Sequence, residues 1–137
     1  MENVCFTGHR NIFRSRVPRL KAKIIKILAL LISQGITALY SCGARGFDLL
    51  VAEAAVELKE KGLPIKLIMI LPHKVAKKRL PAVVSHADET VFLSERDRNK
   101  YIVQHSDICV VYMTHGGSNT KQIIRLAREY GLPVIDF

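Results

Sequence analysis

Three glycine-bearing segments hold the residues of this chain that are best suited to bind an anion. They are residues 7–10 (Thr-Gly-His-Arg), residues 43–48 (Gly-Ala-Arg-Gly-Phe-Asp) and residues 116–120 (Gly-Gly-Ser-Asn-Thr). Each follows a short apolar run and precedes a stretch with helical spacing, which predicts a strand, a glycine turn and the start of a helix. Backbone N–H groups in such turns, together with a helix N-terminus, form a cradle for phosphate.

The candidate ligand-binding residues lie at these turns and near two other strand or helix ends. They are Thr7, Gly8, His9, Arg10, Gly43, Ala44, Arg45, Gly46, Asp48, Pro72, Arg98, Asn99, Gly116, Gly117, Ser118, Asn119 and Thr120. We expect Arg10 and Arg45 to pair with phosphate. Asp48 has two interpretations, a helix N-cap or an acceptor for ribose hydroxyl groups. The sequence predicts no metal site and no cofactor.

An alternation of strands and helices positions these turns. Strands are predicted at residues 3–7, 38–41, 65–71, 90–93, 108–113 and 134–137. Helices are predicted at about 18–34, 47–61, 95–105 and 120–130, with a short one at 82–87. The pattern predicts an α/β fold: a single Rossmann-like domain over residues 1–137, whose mostly parallel sheet has about five to six strands and helices on both faces. Because ligands bind beyond the carboxyl ends of such strands, the glycine turns should converge there.

Positive charge is concentrated in the first third of the chain. The whole chain has a net charge of +9, and residues 1–47 hold eight basic residues and one acidic residue, a net charge of +7. Such asymmetry favours a polyanionic partner, either the phosphate of a small molecule or nucleic acid. The alternative is a solvated basic helix face.

Cysteine usage and hydropathy indicate the compartment. Cys5, Cys42 and Cys109 are far apart in sequence, as expected for reduced thiols in a cytoplasmic protein. The chain opens without a basic signal-peptide region, and its longest apolar run, residues 27–32, is too short to span a bilayer, so no membrane partner is predicted. This run is apolar around most of its helix, which favours a homo-oligomer; a second helix of the same chain is the alternative cover.

At its glycine turns the chain resembles the SLOG superfamily, the Rossmann-like group that contains DNA-processing protein A and the LOG phosphoribohydrolases. It is most similar to the small bacterial branch related to YpsA, which opens with Thr-Gly-His-Arg. The matching segments are residues 5–10, 43–48, 98–101 and 116–120, in the family's order. The resemblance implies a Rossmann-like fold that binds nucleotides, nucleotide-derived ligands or nucleic acid.

Two departures from the LOG pattern Gly-Gly-x-Gly-Thr-x-x-Glu bear on activity. Asn119 replaces a glycine, and Ile123 stands where the enzymes carry a catalytic glutamate. Isoleucine cannot act as an acid or a base, so phosphoribohydrolase activity is not expected. The leading interpretation is a non-catalytic domain that binds or senses a nucleotide-like phosphate ligand. The alternatives are nucleic-acid binding, an N-glycosidic hydrolase that uses Asp48 instead of the glutamate, and a module for protein interaction alone.

Overall fold

The computed structural model describes residues 2–43, 46–72, 82–112 and 118–137. Its strands are β1 (Asn3–Gly8), β2 (Ala38–Ser41), β3 (Lys66–Pro72), β4 (Glu89–Leu93), β5 (Ile108–Tyr112) and β6 (Val134–Asp136). Its helices are α1 (Val17–Ser33), α2 (Phe47–Glu60), α3 (Glu95–His105) and α4 (Ser118–Glu129). Short 3-10 helices occupy Arg14–Arg16 and Ala82–His86.

All six strands form one parallel sheet in the order β4-β3-β2-β1-β5-β6. The predicted α/β class and parallel sheet are confirmed. The chain runs outward from β1 to β4, then crosses back to pair β5 with the other side of β1. The order therefore reverses between β1 and β5, and sheets of this kind bind ligands at that point.

Helices cover both faces of the sheet. Residues of α1 and α2 pack with one set of strand side chains, and residues of α3 and α4 pack with the other set. In β1, Val4 and Phe6 point to the first face and Cys5 to the second. Strands buried on both faces need apolar residues at consecutive positions, which is why β3 and β5 read as continuous apolar runs.

The starts of α1 and α3 follow from the local sequence. Pro18 lies in the first turn of α1, where its missing N–H has no helical partner to lose. Ser94 caps α3: its Oγ accepts a hydrogen bond from the Asp97 backbone N–H at 3.2 Å. This cap fixes where α3 begins and so places Arg98 and Asn99 near its start.

The apolar run at residues 27–32 is mostly covered by the chain itself. Leu28 and Leu31 are buried in the core, and Ile27 and Ile32 pack against it. Leu30 remains 57% exposed. A single exposed leucine is not a large patch, so this run no longer carries the argument for a homo-oligomer, which stays a prediction. None of the helices in the described ranges is long and apolar enough to cross a bilayer.

Candidate functional site

The carboxyl edge of the sheet brings together the first two predicted turns and the start of the helix that follows the third. Gly8 ends β1, Gly43 follows β2, and Pro72 ends β3. The N-termini of α2, α3 and α4 lie at the same edge because each helix follows a strand of one parallel sheet. Ala44, Arg45, Gly116, Gly117 and the Ser118 side chain lie outside the described residues.

Close backbone packing joins the first two turns. The Phe47 N–H donates to the His9 carbonyl oxygen at 2.9 Å. Gly46 has φ of 86°, and a β-carbon there would stand 2.5 Å from the same oxygen. At Gly8 a β-carbon would stand 2.6 Å from the Phe47 ring and 2.7 Å from the Tyr112 carbonyl oxygen. Both glycines are therefore required by packing at the site, whatever the ligand.

Two buried threonines attach the start of α4 to β1. The Thr120 Oγ1 donates to the Gly8 carbonyl oxygen at 3.2 Å, and it lies 3.4 Å from Thr7 Oγ1. Both side chains are buried. The third glycine segment therefore ends directly beside the first, across the point where the strand order reverses.

Asp48 lies inside α2 rather than at its cap. The N-cap is Gly46, and no side chain makes a capping hydrogen bond there, so the N-cap interpretation of Asp48 is wrong. The Asp48 side chain points inward instead, and its Oδ2 accepts a hydrogen bond from the Cys42 thiol at 2.9 Å. Its buried Oδ1 has no hydrogen-bond partner among the described residues.

The surroundings of Asp48 change its acidity. Burial raises the pKa of this carboxyl to about 7, although the Cys42 thiol and the charges of Arg98 and Arg10 act in the opposite direction. Burial dominates because an ionised carboxylate loses its hydration there. Near neutral pH, Asp48 is therefore divided between its protonated and ionised forms, so it can either donate or accept a proton.

Arg98 and Asn99, in the second turn of α3, are both buried. Arg98 is only 4% exposed, and its Nε has no hydrogen-bond partner in the described ranges. Asn99 donates both hydrogens of its Nδ2, to Asn119 Oδ1 at 2.9 Å and to Gln122 Oε1 at 2.8 Å. Its buried Oδ1 has no partner in the described part of the chain.

The other candidate residues occupy more varied positions. Arg10 is exposed, and the half-buried His9 ring packs edge-on against Tyr112 with centroids 5.8 Å apart. Pro72 is half-buried at the end of β3, two strands from β1. Sequence reasoning missed Gln122. It lies three residues after Asn119, on the same side of a helix, and that spacing was the available signal.

The comparisons with known proteins show the fold. No protein-family model and no curated protein matches this sequence. Among solved structures, the X-ray structure of TM1055 has a TM-score of 0.72 and 22% identity, over 98% of this chain and 72% of that one. DNA processing protein A from Helicobacter pylori has a TM-score of 0.73 and 20% identity, over 98% and 64%. The chain shares the fold of these two proteins.

A third structure with this fold is the Moco carrier protein from Chlamydomonas reinhardtii, with a TM-score of 0.65 and 15% identity over 99% of this chain and 75% of that one. The match covers 64% of DNA processing protein A, so this chain spans less than two thirds of that protein's length. The two departures from the LOG pattern have separate consequences. Asn119 accepts a hydrogen bond from Asn99, and Ile123, on the inner side of α4, is buried in the core.

Proposed function

We propose that the carboxyl edge binds a nucleotide-derived ligand that carries phosphate, and that it binds this ligand without transforming it. The described ranges contain four buried side-chain atoms without hydrogen-bond partners; one of them, Glu57 Oε2, lies 3.5 Å from Lys21 Nζ, and the other three carry the proposal. They are Asp48 Oδ1, Arg98 Nε and Asn99 Oδ1. All three belong to residues at the carboxyl edge, where this kind of sheet binds its ligands.

Within the described residues, these unpaired atoms carry a cost in the free protein. A buried polar group without a partner destabilises the folded state by about 1–3 kcal/mol, and most buried polar groups in proteins are paired. A ligand that supplied the missing partners would recover this free energy on binding. The charge of Arg98 acts on the pKa of Asp48, and Asn99 follows Arg98 in the chain, so the three residues lie near one another.

The chemistry of the unpaired atoms limits the ligand. Arg98 offers a donor, which suits a phosphate or carbonyl oxygen. Asn99 and Asp48 offer acceptors, which suit ribose hydroxyls or amino groups of a base. Arg10 is exposed, and its charge reaches Asp48, so it lies close enough to meet an anion beside that carboxyl. A ribose or base linked to phosphate combines these features.

Two structural neighbours bind ligands that are consistent with this class. DNA processing protein A binds single-stranded DNA, and the Moco carrier protein carries Moco. Both proteins share at most 20% identity with this chain, so they support the class only through the fold. Their ligands are examples of what this architecture accommodates.

Thermal unfolding with and without AMP tests the proposal. Wild-type protein should gain stability as AMP is added, because a ligand that binds only the folded state stabilises it by mass action. Arg10→Ala should lose most of this gain, whereas Arg19→Ala, an exposed arginine within α1, should keep it. Equal responses of all three proteins would exclude Arg10 as a ligand residue, and no response in any of them would contradict the proposal for AMP.

The ionisation of Asp48 favours a second candidate, hydrolysis of an N-glycosidic bond. A buried carboxyl with a pKa of about 7 is matched to proton transfer at neutral pH. In that reaction water adds to the anomeric carbon of a nucleoside monophosphate, the bond to the base breaks, and the base leaves with a proton. Incubation with AMP followed by chromatography for adenine separates the candidates. Release of adenine that Asp48→Asn abolishes would replace binding by catalysis.

A further inference from the structure

A basic and aromatic surface extends from the carboxyl edge along α1. We define the α1 strip by its members, all of them exposed: Phe13, Arg14, Arg16, Arg19, Lys23 and Lys26. Arg16, Arg19, Lys23 and Lys26 recur at intervals of three and four residues, so they lie on one side of the helix. The buried residues Leu20, Ile24 and Leu28 lie on an adjoining side of the helix, which packs in the core.

The cations of the α1 strip make no ion pair with any residue that the structure describes. By contrast, Lys21, on another side of α1, pairs with Glu53 at 3.6 Å and Glu57 at 3.5 Å. The first turns of the 3-10 helix Arg14–Arg16 and of α1 contain no acidic residue. Cations at a helix N-terminus also oppose the helix dipole. An external polyanion would relieve both effects.

Phe13 adds an exposed aromatic ring to this charge. It is 74% exposed, the largest exposure among the large hydrophobic side chains of the described residues. The Arg16 N–H donates to the Phe13 carbonyl oxygen at 2.8 Å, and this turn holds the Arg16 guanidinium carbon 5.7 Å from the Phe13 ring centroid. An exposed ring with cations beside it is the arrangement on which unpaired bases stack in single-strand binding proteins.

We propose that the α1 strip binds single-stranded nucleic acid. The backbone phosphates contact the strip's arginines and lysines, and a base stacks on Phe13. Arg19 to Lys26 alone spans about 10 Å of helix, which is longer than one phosphate group and fits linked phosphates. At its N-terminal end the strip begins three residues after Arg10, whose backbone packs against Gly46. One nucleotide of the strand then occupies the carboxyl edge, and this last step rests on the proposed function.

Two other polyanions fit the strip less well. A DNA duplex keeps its bases stacked inside, so it offers no partner to the Phe13 ring. A membrane surface requires a helix with a free apolar face to insert, but the apolar face of α1 is buried against the sheet. Positive charge alone would suit all three partners equally. The exposed Phe13 ring is therefore the feature that favours single-stranded nucleic acid.

The test measures fluorescence anisotropy of a labelled 20-nucleotide oligo(dT) and of a 20-base-pair duplex over a range of salt concentrations. Wild-type protein should prefer the single strand. Phe13→Ala should weaken its binding about fivefold or more, the usual effect of removing a stacking ring. Phe92→Ala is the matched control, because Phe92 is 46% exposed on β4.

The charge of the strip is tested by Arg16→Gln combined with Lys23→Gln. The double variant should flatten the slope of log K against log salt by roughly 1.4, which corresponds to two phosphate contacts on a single strand. Lys61→Gln with Lys66→Gln, two exposed lysines near the opposite edge of the sheet, should leave the slope unchanged.

The outcomes separate this proposal from the preceding one. Loss of oligo(dT) binding in the strip variants, with the AMP-induced thermal shift retained, supports the strip as a site of its own. Equal binding of duplex and single strand, or no effect of Phe13→Ala, would overturn the proposal. Binding to phosphatidylserine vesicles in preference to oligo(dT) would overturn it in favour of a membrane partner. Failure of AMP to bind, with the strip effects intact, would contradict only the proposed function.

Discussion

The two edges of the sheet place their carboxyl groups in different surroundings, exposed at the amino edge and buried at the carboxyl edge. At the amino edge, Asp107 Oδ2 accepts hydrogen bonds from the backbone N–H groups of Glu2 and Asn3, both at 3.0 Å, and so joins the start of β1 to the start of β5. Asp88 there accepts from the Leu67 N–H at 2.8 Å and pairs with Lys59. At the carboxyl edge, Asp48 and Asn99 each bury an oxygen without a partner in the described ranges.

The pKa values of Asp107 and Asp48 are shifted in opposite directions. Hydrogen bonds from Asn3 and Glu2 hold the pKa of Asp107 below its usual value. Burial raises the pKa of Asp48 to about 7. Backbone donors stabilise an exposed carboxylate at the amino edge, whereas at the carboxyl edge the Cys42 thiol and the arginine charges do not offset burial. Within the described residues, the carboxylates of the amino edge are therefore paired and polar atoms of the carboxyl edge are not, as expected if a ligand completes the carboxyl edge.

The largest expected effect comes from filling the packed turn of the carboxyl edge. In Gly46→Ala the new β-carbon would meet the backbone of Arg10 and stand 2.5 Å from the His9 oxygen, at a φ of 86°. We expect a loss of about 3 kcal/mol or more in the free energy of unfolding, or failure to fold. Urea denaturation followed by circular dichroism measures it.

Gly62→Ala is the matched control for this prediction. Gly62 has a similar φ of 89°, but nothing lies within 4 Å of its added β-carbon. It should lose only about 1 kcal/mol, the cost of the backbone conformation. Equal losses in the two variants would mean that close packing at Gly46 contributes nothing.

The sequence alone predicts most of the fold because its signals are local. Continuous apolar runs predict the buried strands β3 and β5. Pro18 and Ser94 predict where α1 and α3 begin. The predicted strand at residues 38–41 and the predicted helix at 95–105 agree with β2 and α3, and the ends of the other elements differ by at most two residues. Parallel pairing follows from the alternation of strands and helices, so the meeting of Gly8 and Gly46 at one edge was also predictable.

The interior of the site was not predictable from the sequence, because it depends on contacts between distant segments. Asp48 has the sequence context of a helix cap, and only the packing of α2 directs it towards Cys42. Asn119 was interpreted from its backbone tolerance, but its side chain binds Asn99, twenty residues away. The burial of Arg98 has no sequence signal, since exposed and buried arginines look alike in a helical pattern.

A smaller effect, and one that depends on pH, is expected at Asp48. Its folded pKa is raised, so the stability that its proton provides is full below its unfolded value of about 3.9 and is lost as pH rises to about 7. Asp48→Asn removes this loss. The stability of the variant relative to wild type should therefore increase between pH 4 and pH 8, by up to about 1.4 kcal/mol per pH unit, and stay constant above pH 8.

Thermal melting at pH 4.5, 6 and 8 measures the Asp48 effect, with the exposed Glu60→Gln on α2 as the control. A pH-independent difference would show that Asp48 stays ionised throughout, and the contrast between the two edges would then fail at its central residue. The same variant should also respond less to AMP than wild type, because it removes a proposed ligand contact.

The smallest effect is expected at the amino edge, from Asp107→Ala. The variant loses two hydrogen bonds between a carboxylate and backbone N–H groups, but Asp107 is exposed, so water can replace its carboxylate as a partner. We expect a loss of about 1 kcal/mol at pH 7.

Because the folded pKa of Asp107 is lowered, its contribution is present above the unfolded value of about 3.9 and disappears as pH falls through the folded value. The penalty should therefore shrink with acid, opposite to Asp48. Asp136→Ala, an exposed carboxylate on β6, is the control. The thermal shift with AMP should match wild type; a reduced shift in Asp107→Ala would show that the two edges are coupled and that the amino edge contributes to binding as well as to stability.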